Sequence, residues 1–219
     1  MQCGPIRHRV NAKEQALARP FDHIVIPRQT NFRLPPSTGK PELHELYAAL
    51  AEDNARNDLI CVDLLRSIHS GRSPILLTER TSHVDEFASR MAGMVKHVVV
   101  LKGGMGAKQR RAIAEQLTAI PDGEERVLLA TGRYIGEGFD DARLDTLFLA
   151  MPISWRGTLQ QYVGRLHRLH DSKHEVIVYD YVDGGVPVLS AMYSKRVRGY
   201  EAVGYSIRDE QTGSQPDSG

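Results

Sequence analysis

Two arginines and a glutamine spaced along one short segment carry the densest chemistry in this chain. Thr158 to His170 reads TLQQYVGRLHRLH. At helical spacing Leu159, Tyr162, Val163 and Leu166 fall at i, i+3, i+4 and i+7, forming one apolar stripe. Gln161, Arg165 and Arg168 form a second stripe roughly opposite, and Gly164 beside them leaves room for close approach to the backbone. Permanently charged guanidinium forks held on one rigid face suit a polyphosphate, because each fork matches a pair of phosphate oxygens. A solvated basic face is the plain alternative for any two arginines on a helix.

Three other segments could act on phosphates. Thr131 to Asp140 reads TGRYIGEGFD, and three glycines in such a stretch let backbone N–H groups approach a phosphate chain. Asp140 adds a carboxylate that could take a ribose hydroxyl or orient an arginine. Lys102-Gly103-Gly104 and Thr78-Glu79-Arg80 each follow a short apolar run, where open parallel sheets gather their ligands.

Several tempting patterns fail. Ser37-Thr38-Gly39-Lys40 lacks the early glycine of a phosphate loop, and Pro41 stands where the magnesium-binding hydroxyl belongs. Gly103-x-x-Gly106 lacks the third glycine of a dinucleotide loop. Asp85-Glu86 reads as a solvated pair on a helix. His167, His170 and His174 have no clear fourth ligand for zinc, so no metal site is expected. Trp155 reads as a packing anchor.

The elements that must position these groups alternate. Strands are expected at 74–78, 97–101, 126–130, 146–150 and 175–181, with a further one at Phe21 to Pro27. Helices are expected near 42–51, 55–70, 82–91, 107–120, 158–170 and 186–200. This is the pattern of an α/β fold, a mostly parallel sheet flanked by helices. Residues 1–40 read as an N-terminal extension or linker, 41–205 as the domain, and 206–219 as a disordered tail.

Composition narrows the class. The 219 residues are 41% hydrophobic and 25% charged, with no apolar run long enough to span a membrane. Cys3 and Cys61 stand alone, so a reduced cytoplasmic setting is expected. A net charge of +1 means any nucleic-acid surface must be local.

Gln161-x-x-Gly164-Arg165-x-x-Arg168 resembles motif VI of superfamily-two (DEAD/DEAH-related) helicases. Ala130, Thr131, Gly138 and Asp140 resemble motif V, and Thr78-Glu79-Arg80 looks like motif IV. The order agrees, and the resemblance runs from about residue 74 to 182. It implies a RecA-like (P-loop NTPase-like) C-terminal lobe. ATP and Mg2+ would be held mainly by a first lobe, in the same or another chain, since these residues include no phosphate loop or DExx motif. Arg165 and Arg168 would be arginine fingers, with Gly138, Asp140 and Gln161 lining the nucleotide. Thr78, Arg80, Lys102, Gly103, Thr131 and Gly132 would face the nucleic-acid backbone. Gln161 in place of a His-Arg pair favours DNA over RNA. A non-catalytic nucleic-acid-binding or scaffold module is the alternative, and a small-molecule α/β enzyme using the glycine loop is a third reading.

Overall fold

A computed structural model describes residues 21–34, 42–136, 139, 141–153, 160–170 and 173–209. Seven strands form one sheet: β1 (Asp22–Gln29), β2 (Pro74–Thr78), β3 (His97–Leu101), β4 (Arg126–Thr131), β5 (Thr146–Leu149), β6 (Glu175–Val182) and β7 (Ser206–Ile207). Their order across the sheet is β3-β4-β2-β5-β6-β1-β7, and every pairing is parallel. The helices are α1 (Leu43–Glu52), α2 (Asn54–His69), α3 (Thr81–Met91), α4 (Ala107–Ala119), α5 (Gly132–Gly136), α6 (Gln160–Leu166) and α7 (Pro187–Ala202).

The central strands β2, β4 and β5 are buried along their whole length, as a parallel sheet covered by crossover helices requires. Side chains alternate between two cores with period two. Ile75, Leu77, Leu128, Leu147 and Leu149 pack with Leu117, Tyr162, Val163 and Leu166 on one face. Leu76, Val127, Leu129 and Phe148 pack with Ile60, Leu64, Val84 and Phe87 on the other. The helix starts obey local chemistry: Asp53 accepts the Arg56 N–H at 2.7 Å as an N-cap, and Pro187 opens α7, where a missing N–H costs nothing.

Three buried acid–arginine pairs lock β6 and β1 to the helices. Asp180 meets Arg196 at 2.7 and 2.8 Å and Tyr200 at 3.0 Å. Burial works against the Arg196 charge, but Asp180 outweighs it and holds the guanidinium pKa above its ordinary value. Asp63 meets Arg28 and Tyr181, and Asp183 meets Arg56 and Thr30.

The expected strands and the longer helices are present. Two short elements were not expected: α5, whose five residues include two glycines, and β7, whose two residues are too few to show a period. A division at residue 40 would cut the sheet, because β1 pairs with β6 along eight residues. Likewise β7 lies past 205, beside Ile24 and Val25. Pro27 is tolerated in β1 because β7 covers only Ile24 and Val25, and among the described residues no strand pairs with the later part of that edge. Residues 35–41 and 210–219, which hold the serine-glycine turn and most of the expected tail, lie outside the described residues.

Removing residues 1–40 therefore takes out a strand. Ile24 and Val25 are buried, and burial of two such side chains is worth about 3–6 kcal/mol, comparable to a domain's net stability. A chain beginning at residue 41 should lose its cooperative melt in circular dichroism, while a chain beginning at residue 20 should keep it.

Candidate nucleotide and nucleic-acid site

The carboxyl ends of β3, β4, β2 and β5 lie side by side. Thr78 is in register with Thr131, Leu101 with Ala130, and Leu77 with Leu149. The turn 78–80, the segment 102–104, the start of the stretch from Thr131 and residues 150–153 after β5 therefore open on one edge of the sheet.

Beneath that edge is a layer of polar groups that bond to one another. Thr78 is fully buried, and its hydroxyl lies 3.0 Å from His83 Nδ1 and accepts the Arg80 N–H at 3.4 Å. Thr131 is 6% exposed, and its hydroxyl oxygen accepts the Gly103 N–H at 2.8 Å, tying the ends of β3 and β4 together. Gly132 is buried under α6, where its carbonyl accepts the Tyr162 hydroxyl at 2.5 Å. A Cβ on Gly132 would lie 2.6 Å from that hydroxyl and 2.9 Å from Glu79 Oε1. The Thr78 and Thr131 hydroxyls and the Gly132 carbonyl, in residues expected to face a nucleic-acid backbone, are thus engaged within the domain, where they hold the turns.

Above this layer lie Arg80, Lys102 and Gly103, all partly exposed. Arg80 donates to His44 O at 3.3 Å, and Lys102 donates to Asp85 at 2.5 Å. Asp85 is thus the partner of Lys102 and not only a solvated charge. Exposed Arg133 lies across Gly103, with its side chain 3.0 Å from where a Cβ would stand. No motif singles out Arg133; the signal that could have found it is a cation beside the first glycine of the loop.

Tyr162, Val163 and Leu166 are buried as the apolar stripe requires. A Cβ at Gly164 would meet nothing within 4 Å, so the backbone there is open. The two arginines do not share a helical face, however. Described α6 ends at Leu166, and Arg168 lies beyond it, exposed. Buried Lys173 explains the stop: its ammonium donates to Leu166 O, the last carbonyl of the helix, and to Arg168 O just past it, both at 2.8 Å, and to Ala142 O at 2.9 Å. Arg165 is half-buried, and its Nη1 donates to Phe139 O, joining α6 to the glycine-rich stretch.

The three histidines likewise share no helix. His167 hydrogen-bonds Tyr205 at 2.9 Å, and no group of three potential metal ligands occurs among the described residues. Gly138, Asp140, Trp155 and the Gln161 side chain lie outside the described residues.

Electrostatics separate the two layers. Burial, then the nearby Arg56, Arg90 and Arg80 charges, push His83 down to about 3, so the ring is neutral. Burial, then Glu79, push the Tyr162 phenol up, keeping it a hydrogen-bond donor. Burial also raises Glu79, whose carboxyl packs over Gly132.

This sheet and this edge define a RecA-like C-terminal lobe of the superfamily-two helicase kind. A sequence model described as the helicase conserved C-terminal domain matches residues 56–170, and the chain belongs to that family. It is similar to uncharacterized protein 108L of invertebrate iridescent virus 3, with 36% identity over 103 residues, covering 47% of this chain and 92% of that protein. It is 27% identical over 121 residues to transcript termination protein A18 of cowpox virus (strain Brighton Red), covering 54% of this chain and 24% of A18. Among solved structures, T4 UvsW shares the fold with a TM-score of 0.63 at 14% identity, covering 87% of this chain and 41% of UvsW. The chain therefore spans about a quarter of A18 and about two-fifths of UvsW.

The packing over Gly132 can be tested directly. Gly132→Ala drives a methyl into the Tyr162 hydroxyl and should cost about 1–3 kcal/mol. Tyr162→Phe removes the atom in the way, so the double variant should be more stable than the sum of the single losses predicts, as urea unfolding will read.

Acidity tests the buried histidine. An unfolded histidine titrates near ~6.5, while folded His83 titrates at about 3. The folded state binds fewer protons throughout that window, so stability falls as pH drops through it. Between pH 7 and pH 5 this one ring should remove about 2 kcal/mol. Urea midpoints at both pH values check it, and His83→Asn should lack that share of the loss.

Proposed function

We propose that this domain is the second lobe of an ATP-dependent nucleic-acid helicase or translocase. In this reading it supplies arginine fingers to ATP held by a first lobe and grips the strand backbone with the groups above its carboxyl edge. The observation that carries the reading is the contact of Arg165 with the Phe139 carbonyl, which brings the arginine segment and the glycine-rich stretch together at one edge.

The fit to a triphosphate rests on these residues. Arg168 is exposed beyond the end of α6, and Lys173 fixes its backbone. Arg165 keeps one guanidinium nitrogen on the carbonyl of Phe139, which lies between Gly138 and Asp140 in sequence. Mg2+ would neutralise phosphate charge from the first lobe. Fingers on one lobe and nucleotide on the other make hydrolysis depend on closure, and loss of the γ-phosphate then weakens closure. Alternate grips on phosphates become stepping along a strand.

Arg80, Lys102, Gly103 and Arg133 are the groups that would meet that strand. Phosphate contacts of this kind carry no base information, so recognition would be largely independent of sequence. DNA is the first substrate to test, on the ground of Gln161.

The chain alone should not hydrolyse ATP, since arginines without a held substrate offer charge but no positioning. Assembled with its first lobe, Arg165→Ala and Arg168→Ala should each lower kcat by about 10³-fold or more, and lysine at either position should not restore it. Arg168→Ala should melt like the parent, and Arg165→Ala should lose a little stability with its Phe139 contact. ATPase rates beside melting curves, with DNA and with RNA, decide the matter. Nucleic-acid-stimulated turnover by the chain alone would sink the single-lobe reading, and arginine variants with normal turnover would favour a scaffold.

A further inference from the structure

We infer that His83 is a positioning residue. As its Nε2–H tautomer it is the middle of a one-directional hydrogen-bond chain that fixes the Thr78-Glu79-Arg80 turn against α1, and so sets how Arg80 meets a nucleic-acid strand. The last step rests on the proposed strand-gripping function, and the earlier ones do not.

The direction of the chain is forced link by link. Ala51 O can only accept, so the atom of Asn57 facing it at 2.8 Å is the amide nitrogen. Asn57 Oδ1 then faces His83 Nε2 at 2.9 Å. An amide oxygen can only accept, so Nε2 carries the proton. The ring is neutral, which leaves Nδ1 as an acceptor. Thr78, 3.0 Å away, must donate to it. With its proton committed, the Thr78 oxygen is left to accept the N–H of Arg80 at 3.4 Å.

Both ends of this chain hold backbone in place. At one end, Asn57 satisfies a carbonyl in the last turn of α1, where a helix leaves such groups unpaired. At the other, Arg80 is the N-cap residue of α3, extended at φ −117° and ψ 130°, with no side-chain cap of its own. Its guanidinium donates to His44 O, also on α1. The turn is thus tied to α1 twice, once through Arg80's own side chain and once through His83. The Phe87 ring packs against the imidazole at 4.6 Å between centroids, and both side chains are buried. No hydrophobic pattern called for a histidine here. An apolar residue would fill the same core position but leave Thr78 and Asn57 without their partner.

Three variants separate positioning from packing. His83→Phe fills the space and removes both contacts. His83→Asn places an amide oxygen near the Nδ1 position, keeping an acceptor for Thr78. His83→Gln reaches towards Asn57 and offers Thr78 nothing. On the 219-residue chain, 15N spectra of the ring should report Nε2–H. Amide exchange at Arg80 should quicken about tenfold in the Phe and Gln variants and return close to the parent rate in the Asn variant, the scale expected for one hydrogen bond. The dissociation constant for oligothymidylate, read by fluorescence anisotropy, should weaken by several fold in the first two and recover in the third. A ring protonated at Nδ1 instead, or an Arg80 amide indifferent to His83→Phe, would overturn the inference. So would His83→Asn behaving like His83→Gln in amide exchange. If His83→Phe fails to fold, the Asn and Gln pair still decides. If the exchange pattern holds while oligothymidylate binding does not move in any variant, His83 positions the turn and the strand-gripping reading of that turn is what fails.

Discussion

A carboxylate taken out of water must be met by a fixed positive charge, and Asp183 imposes that demand on three strands and a helix. It sits at the carboxyl end of β6, buried, with Arg56 Nε at 2.9 Å and the Thr30 hydroxyl at 2.5 Å. The same guanidinium donates to Ala150 O at 2.6 Å. One buried pair thereby joins the start of α2 to the ends of β5, β6 and β1. Removing either partner would leave the other charge in the interior, which is the costly case for a buried pair. The chain leading towards the arginine helix begins from this knot, and Tyr47 holds it one step further on through Pro152 O at 2.7 Å.

The other half of the edge is held by neutral groups. Thr131 ties Gly103, Tyr162 ties Gly132, and Thr78 is tied through His83 to Asn57. The difference suits the position. These groups lie directly under the surface proposed to meet phosphates, where a buried carboxylate would repel the ligand. Hydroxyls and a neutral imidazole fix the backbone without adding negative charge. Of the acids near this edge, Asp85 is paired with Lys102, and Glu79 is exposed on the turn itself.

The result is an edge in two tiers. The lower tier is built from neutral polar side chains bonded within the domain, and it holds the turns. The upper tier is built from long cationic side chains on those turns. The sequence pattern marks both tiers with the same kinds of residue, which is why Thr78, Thr131 and Gly132 read as ligand contacts beside Arg80 and Lys102.

By itself the sequence determined the layers of this protein. Short apolar runs separated by amphipathic helices specify a covered parallel sheet, because period two and period 3.6 leave distinct marks on a chain. It also determined the order of the arginine, glycine and strand-end segments, and so the family, since that rests on residue types at local spacing. Only the tertiary structure decided which of those residues face outward. Burial at a strand end depends on what a distant helix lays over it, as Tyr162 does over Gly132, and no local spacing reports that. The same holds where α6 stops. Its apolar stripe continues in sequence towards His170, but Lys173, from beyond the turn, takes the carbonyls of Leu166 and Arg168 and ends the helix, so that Arg165 lies on the helix and Arg168 past it. It holds again for β1, whose place in the sheet is set by β6, far along the chain, through backbone hydrogen bonds that side-chain patterns do not encode.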